Sequence, residues 1–203
     1  MSSEIYYEYH DTAKDNRLNG DNVAAGRYYA LAAYEALGVS ELTRNHDLVF
    51  GIVCLMKSGI CYRLAGDNRA CANRCRQAIL VLEDAAARLY DAEPLEGITH
   101  ELIGDCMLIG DFGDYTAEYE TARACYDGYE SASIRWQTQD EFSIGIIPFM
   151  HVADTVSHEF DNYGQVRTTS LRARIDAKMT HFERLLDELD KNECWIRESE
   201  EEG

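Results

Sequence analysis

The stretch "LMKSGICYRLAGDNRACANRCRQA", Leu55 to Ala78, decides how this chain is read. Apolar and small residues run to Leu64, a Gly66-Asp67-Asn68 corner follows, and a second run of small residues and arginines begins at once. Glycine most readily takes the left-handed conformation that closes a helix, and aspartate is a preferred N-cap for the next. The stretch therefore predicts two antiparallel helices joined by a tight turn. With the turn at Gly66, Cys61 and Cys71 lie five residues from it on either side, and Gly59 falls close to the same level. A glycine there lets the backbones approach, and a thiol or an alanine opposite fills the space without strain.

The corner recurs. Gly20-Asp21-Asn22 precedes it by 46 residues, and Gly110-Asp111, with Gly113-Asp114, follows it by 44. Small pairs come after the first two corners, Ala24-Ala25 and Ala70-Cys71, and a further break stands at Asn162-Tyr163-Gly164. Only two prolines occur, Pro94 and Pro148, and no Asn-Gly hairpin signal joins alternating strands. A regular period with helices on both sides predicts stacked antiparallel helical hairpins, about eight helices in an all-α fold. The hairpins are drawn at about 4–19 with 21–37, 46–65 with 67–90, 95–110 with 114–136, and 139–161 with 165–190. Asn45, Pro94 and the Thr138/Glu141 capping box suit helix starts. In the last hairpin Phe142, Ile146, Phe149, Ala153, Val156, Phe160 and Tyr163 form one amphipathic stripe, which Pro148 is expected to kink. Leu171, Ile175, Phe182, Leu185 and Leu189 face it from the partner helix. Residues 1–196 are expected as one helical domain, and "RESEEEG", 197–203, as a frayed acidic tail.

Charge narrows the surroundings. The chain of 203 residues has 37 acidic against 19 basic residues, a net charge of −18, and only four of the basic ones are lysines. This balance resembles the acid-rich, lysine-poor surfaces of salt-in halophiles such as haloarchaea, and the resemblance implies a cytoplasm of high salt. There the Debye length falls to about 3 Å and self-repulsion is screened. No basic stripe for nucleic-acid phosphates is visible. No apolar run reaches the length of a membrane span and no signal peptide is visible, so the cytoplasm is expected. The seven cysteines are read as reduced and mostly buried.

The opening stretch resembles a tetratricopeptide (TPR) repeat. Leu55 stands in the tryptophan slot of that motif, Ser58 in the leucine slot, Gly59 and Tyr62 in the glycine and tyrosine slots, and Cys71 and Cys75 in the small and aromatic slots of the second helix. In the first unit Ala13 takes the glycine slot, Asn16 replaces the tyrosine, and Ala25, Tyr29 and Ala32 suit the second helix; in the third, Gly104 fits with a one-residue slip. The likeness spans about residues 5–125, with a period longer than the 34 residues of a TPR and without its closing proline. It implies a groove lined by the first helix of each hairpin: Tyr7, His10, Lys14 and Arg17, then Val53, Met56, Ile60 and Arg63, then Ile98, Glu101, Asp105 and Leu108. The Lys, Asn and Arg of a carboxylate clamp are absent, because Val53, Met56 and Ile60 occupy those places. A groove basic at one end, apolar in the middle and acidic at the other suits an amphipathic peptide. The same apolar residues serve equally to pack on another hairpin or on a second copy in a homodimer.

Two clusters could carry chemistry. Cys54, Cys61, Cys71 and Cys75 could hold zinc, but their helical spacing suits small apolar fillers better than the knuckles of structural zinc sites. His151, Asp154 and His158 share a helical face, and His46 and His100 could complete a metal site in a closed bundle. That face lies away from Phe149 and is expected to meet solvent, and the Glu-x-x-His pairs of di-iron bundles are missing. No nucleophile elbow, P-loop or dinucleotide fingerprint is present. The sequence thus points to a non-catalytic scaffold for a protein or peptide partner, without cofactor, nucleic acid or membrane. The alternative is a helical-bundle metal-dependent enzyme using the His, Asp and Glu ligands.

Overall fold

A computed structural model describes residues 4–38, 45–89, 93–127, 145–156 and 171–201. Among them the chain forms eight helices: α1 (Glu4–Leu18), α2 (Asn22–Gly38), α3 (Asn45–Leu64), α4 (Asn68–Leu89), α5 (Glu93–Ile109), α6 (Tyr115–Tyr126), α7 (Ile147–Val156) and α8 (Leu171–Glu201). The fold is all-α, as expected. No helix of the described residues is long and apolar enough to cross a membrane.

The three corners share one construction. After α1, Gly20 takes φ 79° and its N–H bonds Arg17 O, while Asp21 N–H reaches back to Asn16 O. After α3, Gly66 takes φ 68° and makes the same pair of bonds to Arg63 O and Tyr62 O, the second through Asp67. These are Schellman closures, which occupy carbonyls a helix end would otherwise leave unpaired. The aspartates then cap the following helices: Asp21 accepts from Ala24 N–H and Asp67 from Ala70 N–H, both at 2.9 Å. At the third corner the left-handed residue is Asp111 (φ 53°), and the chain needs a further turn at Gly113 before Asp114 caps α6.

Consecutive helices pack pairwise from α1 to α6. The last two do not extend that series. Instead α7 lies against α3, and α8 crosses α3, α5 and α6. With neighbours on every side, α3 is buried almost all round, from Leu48 to Val49 and from Ile52 to Met56.

Several expectations need correction. At Pro148 the helix is interrupted: Gly145 is helical, Ile146 is a turn, and α7 restarts at Ile147 with Pro148 in its first turn, where a missing N–H costs nothing. The last helix begins at Leu171 and runs to Glu201, because no glycine or proline interrupts it; most of the expected acidic tail is helical. The Thr138/Glu141 capping box, Phe142, Phe160 and Tyr163 lie outside the described residues. Cys61 does not face Cys71: it packs with Ala13, Ala25 and Tyr29, toward the first hairpin. It is Cys75 that meets Gly59, where an added Cβ would stand 3.1 Å from Sγ.

Candidate functional site

The groove positions separate into two groups. Val53, Met56, Ile60, Ile98, Glu101 and Asp105 are fully buried, and Leu108 nearly so. They share one core with Phe149 of α7 and with Phe182, Leu185 and Leu189 of α8. Packing on another hairpin therefore accounts for the apolar middle. Arg63 is also engaged: it donates to Ile109 O at 2.8 Å, closing the end of α5, and forks onto both carboxylate oxygens of Asp190 at 2.7 Å. In the first unit Tyr7 and Lys14 stay exposed and His10 and Arg17 half-buried, one stripe along α1.

The acidic end is neutralised from within. Lys178, fully buried on α8, places Nζ 2.6 Å from Asp105 Oδ2, 2.7 Å from Glu101 Oε1 and 2.8 Å from Gly145 O. Arg174, one turn earlier, pairs with Glu101 Oε2. Tyr119 and Tyr126 of α6 donate to Asp105 and Glu101 at 2.7 and 2.8 Å. Two glycines of α5 seat those rings: a Cβ at Gly97 would come within 2.4 Å of Tyr126, and one at Gly104 within 2.7 Å of Tyr119. Burial raises the Asp105 carboxyl to about 6, against the pull of Lys178. Glu101 goes the other way: burial works against its charge, but Arg174 and Lys178 together hold it below the usual carboxylate range. Two cations and two carboxylates close on one another here, and the arrangement is a clasp for α8.

A second polar cluster lies between α1, α2, α3 and α7. His10 Nε2 sits 3.3 Å from Lys57 Nζ, and Lys57 Nζ lies 5.4 Å from the centre of the Tyr29 ring. His151 meets the Tyr29 ring edge-on at 5.9 Å, and Arg17 donates to Thr155 Oγ1 at 3.0 Å. Burial, then the Lys57 charge, pushes both imidazoles below their usual pKa, His151 the further. Burial likewise lowers the Lys57 ammonium. His151 was expected at the surface; it is 8% exposed, because α7 is covered on one side by α8 and on the other by Tyr29. Asp154 does face solvent.

The imidazoles proposed for a metal do not come together where they are described. His100 Nδ1 pairs with Glu118 Oε2 at 2.7 Å, on α5 and α6, while His151 sits in the second cluster. The side chains of His46 and His158 lie outside the described ones. Among the described residues no three His, Cys, Asp or Glu side chains are placed to hold a metal ion. Cys54, Cys61, Cys71 and Cys75 are free, buried thiols; Cys54 lies 3.7 Å from the Tyr6 hydroxyl and Cys71 donates to Ile109 O.

Sequence reasoning named Glu101, Asp105, His10 and Arg17, but for a ligand. It missed Lys178, Arg174, Tyr119, Tyr126, Lys57 and Tyr29. One signal was there: Lys178 completes the stripe Ile175, Lys178, Phe182, Leu185, Leu189, so a lysine stands on a core face. Glu101 and Asp105 likewise continue the stripe of Ile98 and Leu108, and opposite charges on two apolar stripes are a reason to pair them. The chain matches no family model, none of the curated proteins and none of the solved structures.

Proposed function

We propose that this protein is a non-catalytic interaction module, built from TPR-like helical hairpins, that takes an acidic protein or peptide on the outer stripe of its first hairpin. The observation that carries this reading is the fate of the groove positions. Those of the second and third hairpins are buried or engaged, whereas Tyr7 and Lys14 remain exposed beside the half-buried His10 and Arg17. Tyrosine and arginine are enriched in interfaces, and the basic side chains beside Tyr7 complement negative charge. The acidic, lysine-poor composition supports work in a salt-adapted cytoplasm. Exposed ion pairs are screened there, so the Tyr7 ring, 58% exposed, supplies contact area that salt does not weaken.

Affinity capture from a lysate in concentrated KCl tests this, with the intact chain and a Tyr7→Ala/Lys14→Glu variant as baits. The expected result is an acidic protein retained by the first and lost by the second. Equal retention by both baits would remove the first hairpin as the binding face.

A further inference from the structure

The interior between α1, α2, α3 and α7 gathers cationic and imidazole groups without gathering acids. Arg17, Lys57, His10 and His151 converge on Tyr29: the His10 and His151 rings meet it at 5.5 and 5.9 Å, and Lys57 lies over its face. Among the described residues the acid that reaches the group is Asp11, 3.7 Å from His10 Nδ1, and its side chain is 77% exposed. Glu8, Asp15 and Asp154, on the same helices, are exposed to solvent. The chain holds 37 acidic residues and only four lysines, yet two of the four, Lys14 and Lys57, stand at this one place. The contrast with α8 is direct, for there each buried cation meets a carboxylate.

Two nitrogens point inward without an acceptor. His151 Nε2 and Arg17 Nε are both buried and make no hydrogen bond. Buried polar groups are normally paired, and each exception calls for an explanation. Like charges held together with no buried counter-charge among the described residues oppose one another as well. A negatively charged acceptor resolves both. A metal ion does not, because the Lys57 ammonium and the Arg17 guanidinium would repel it.

We infer that Arg17, Lys57, His10 and His151 form a binding site for a phosphate group, either the inorganic ion or the phosphate of a small ester. Arg17 and Lys57 carry two positive charges, and a phosphate monoester carries about −1.5 to −2 at neutral pH with three acceptor oxygens. The guanidinium supplies directed N–H donors, Lys57 a compact charge oriented by the bond it donates to His10 Nε2, and His151 a further N–H donor. His10 and Arg17 are only half-buried and Lys14 is exposed one turn from His10, so the site opens along α1. The inference does not depend on a protein partner docking outside.

The test is a titration of the intact protein with potassium phosphate, followed by the histidine ring signals in NMR, with KCl and acetate as comparison salts at matched ionic strength. The expected result is a saturable one-to-one shift of the His10 and His151 signals. Phosphate should act at a concentration about tenfold or more below that of either comparison anion, as charge-assisted recognition of a doubly charged oxyanion requires. Arg17→Gln should weaken binding about tenfold or more, while the exposed Lys14→Gln should change it by less than about threefold. Glycerol phosphate in a parallel titration separates the sources: tighter binding than phosphate identifies an ester, weaker binding the inorganic ion. Signals that move without saturating, or move equally with chloride, overturn the site. So does unchanged affinity in Arg17→Gln. Should phosphate fail while the acidic partner is still captured, the site falls and the interaction reading stands.

Discussion

Lys178 Nζ stands 2.6 Å from Asp105 Oδ2, both side chains wholly buried and 73 residues apart in the chain. Lysine is almost never fully buried unless paired, and here the ammonium is matched by Asp105, Glu101 and Gly145 O. The pair joins α8 to α5 across the face that the first three hairpins present. Apolar contact alone would hold α8 in many registers, whereas a buried ion pair tolerates one.

Removing one partner of this pair leaves the others charged in a dry interior. Lys178→Met is expected to destabilise the fold by about 3–5 kcal/mol, the range for stranding a buried charge. Replacing Lys178 together with Asp105 by apolar residues should cost less than the sum of the two single changes. Urea unfolding of the three variants measures this.

The tyrosines depend on glycines opposite them. Gly104→Ala would place a methyl group 2.7 Å from the Tyr119 ring, which itself holds Asp105. A loss of about 1–3 kcal/mol is expected, as for overpacking a filled core. The double variant Gly104→Ala/Tyr119→Leu should recover part of it, and the same denaturation experiment decides.

Stability should depend on pH through groups of opposite sign, of which His151 and Asp105 can be separated by substitution. The His151 imidazole is held well below its usual 6.5 by burial and by Lys57, Arg17 and His10. The unfolded chain therefore binds that proton first, and stability is lost as pH falls below about 6.5. Asp105 is raised from 3.8 to about 6, so its contribution is complete below 3.8 and is lost as pH rises through about 6. Urea midpoints taken across this range should fall less steeply toward acid in His151→Phe than in the natural chain. In Asp105→Asn they should fall more steeply.

Salt should stabilise the molecule. A net charge of −18 opposes compaction in dilute buffer, and molar salt shortens the reach of that repulsion to about 3 Å. A Tm rise of about 5 °C or more is expected between roughly 0.1 and 2 M KCl, equivalent to a gain of about 2 kcal/mol for a chain of this size. Scanning calorimetry reads it directly; an unchanged or falling Tm would contradict the salt-adapted reading.

Much of the helical frame was legible because its signals are local. Gly20, Gly66, Asp21 and Asp67 act within one turn of chain, through a left-handed closure and a cap, so their spacing alone marks the corners. The stripe of α7 and α8 was readable for the same reason in Phe149, Phe182 and Leu189. What the spacing could not reveal was where the last pair would lie. Val53, Met56 and Ile60 look the same whether they line a groove or sit beneath a helix, since both demand apolar residues. Glu101 and Asp105 were singled out for their chemistry, but their partners stand 73 residues away, beyond any local pattern. His151 was misplaced because a periodicity argument assumes one buried face, and α7 has two.

Amide hydrogen exchange on the intact protein tests most directly the central claim, that α8 is a permanent part of the core and closes the face formed by α3 and α5. Residues 174–189 are predicted to exchange as slowly as residues 49–61 of α3, both limited by global unfolding. Exchange in α8 that is orders of magnitude faster than in α3 would contradict the claim, since it would make the helix a loose flap over an accessible groove.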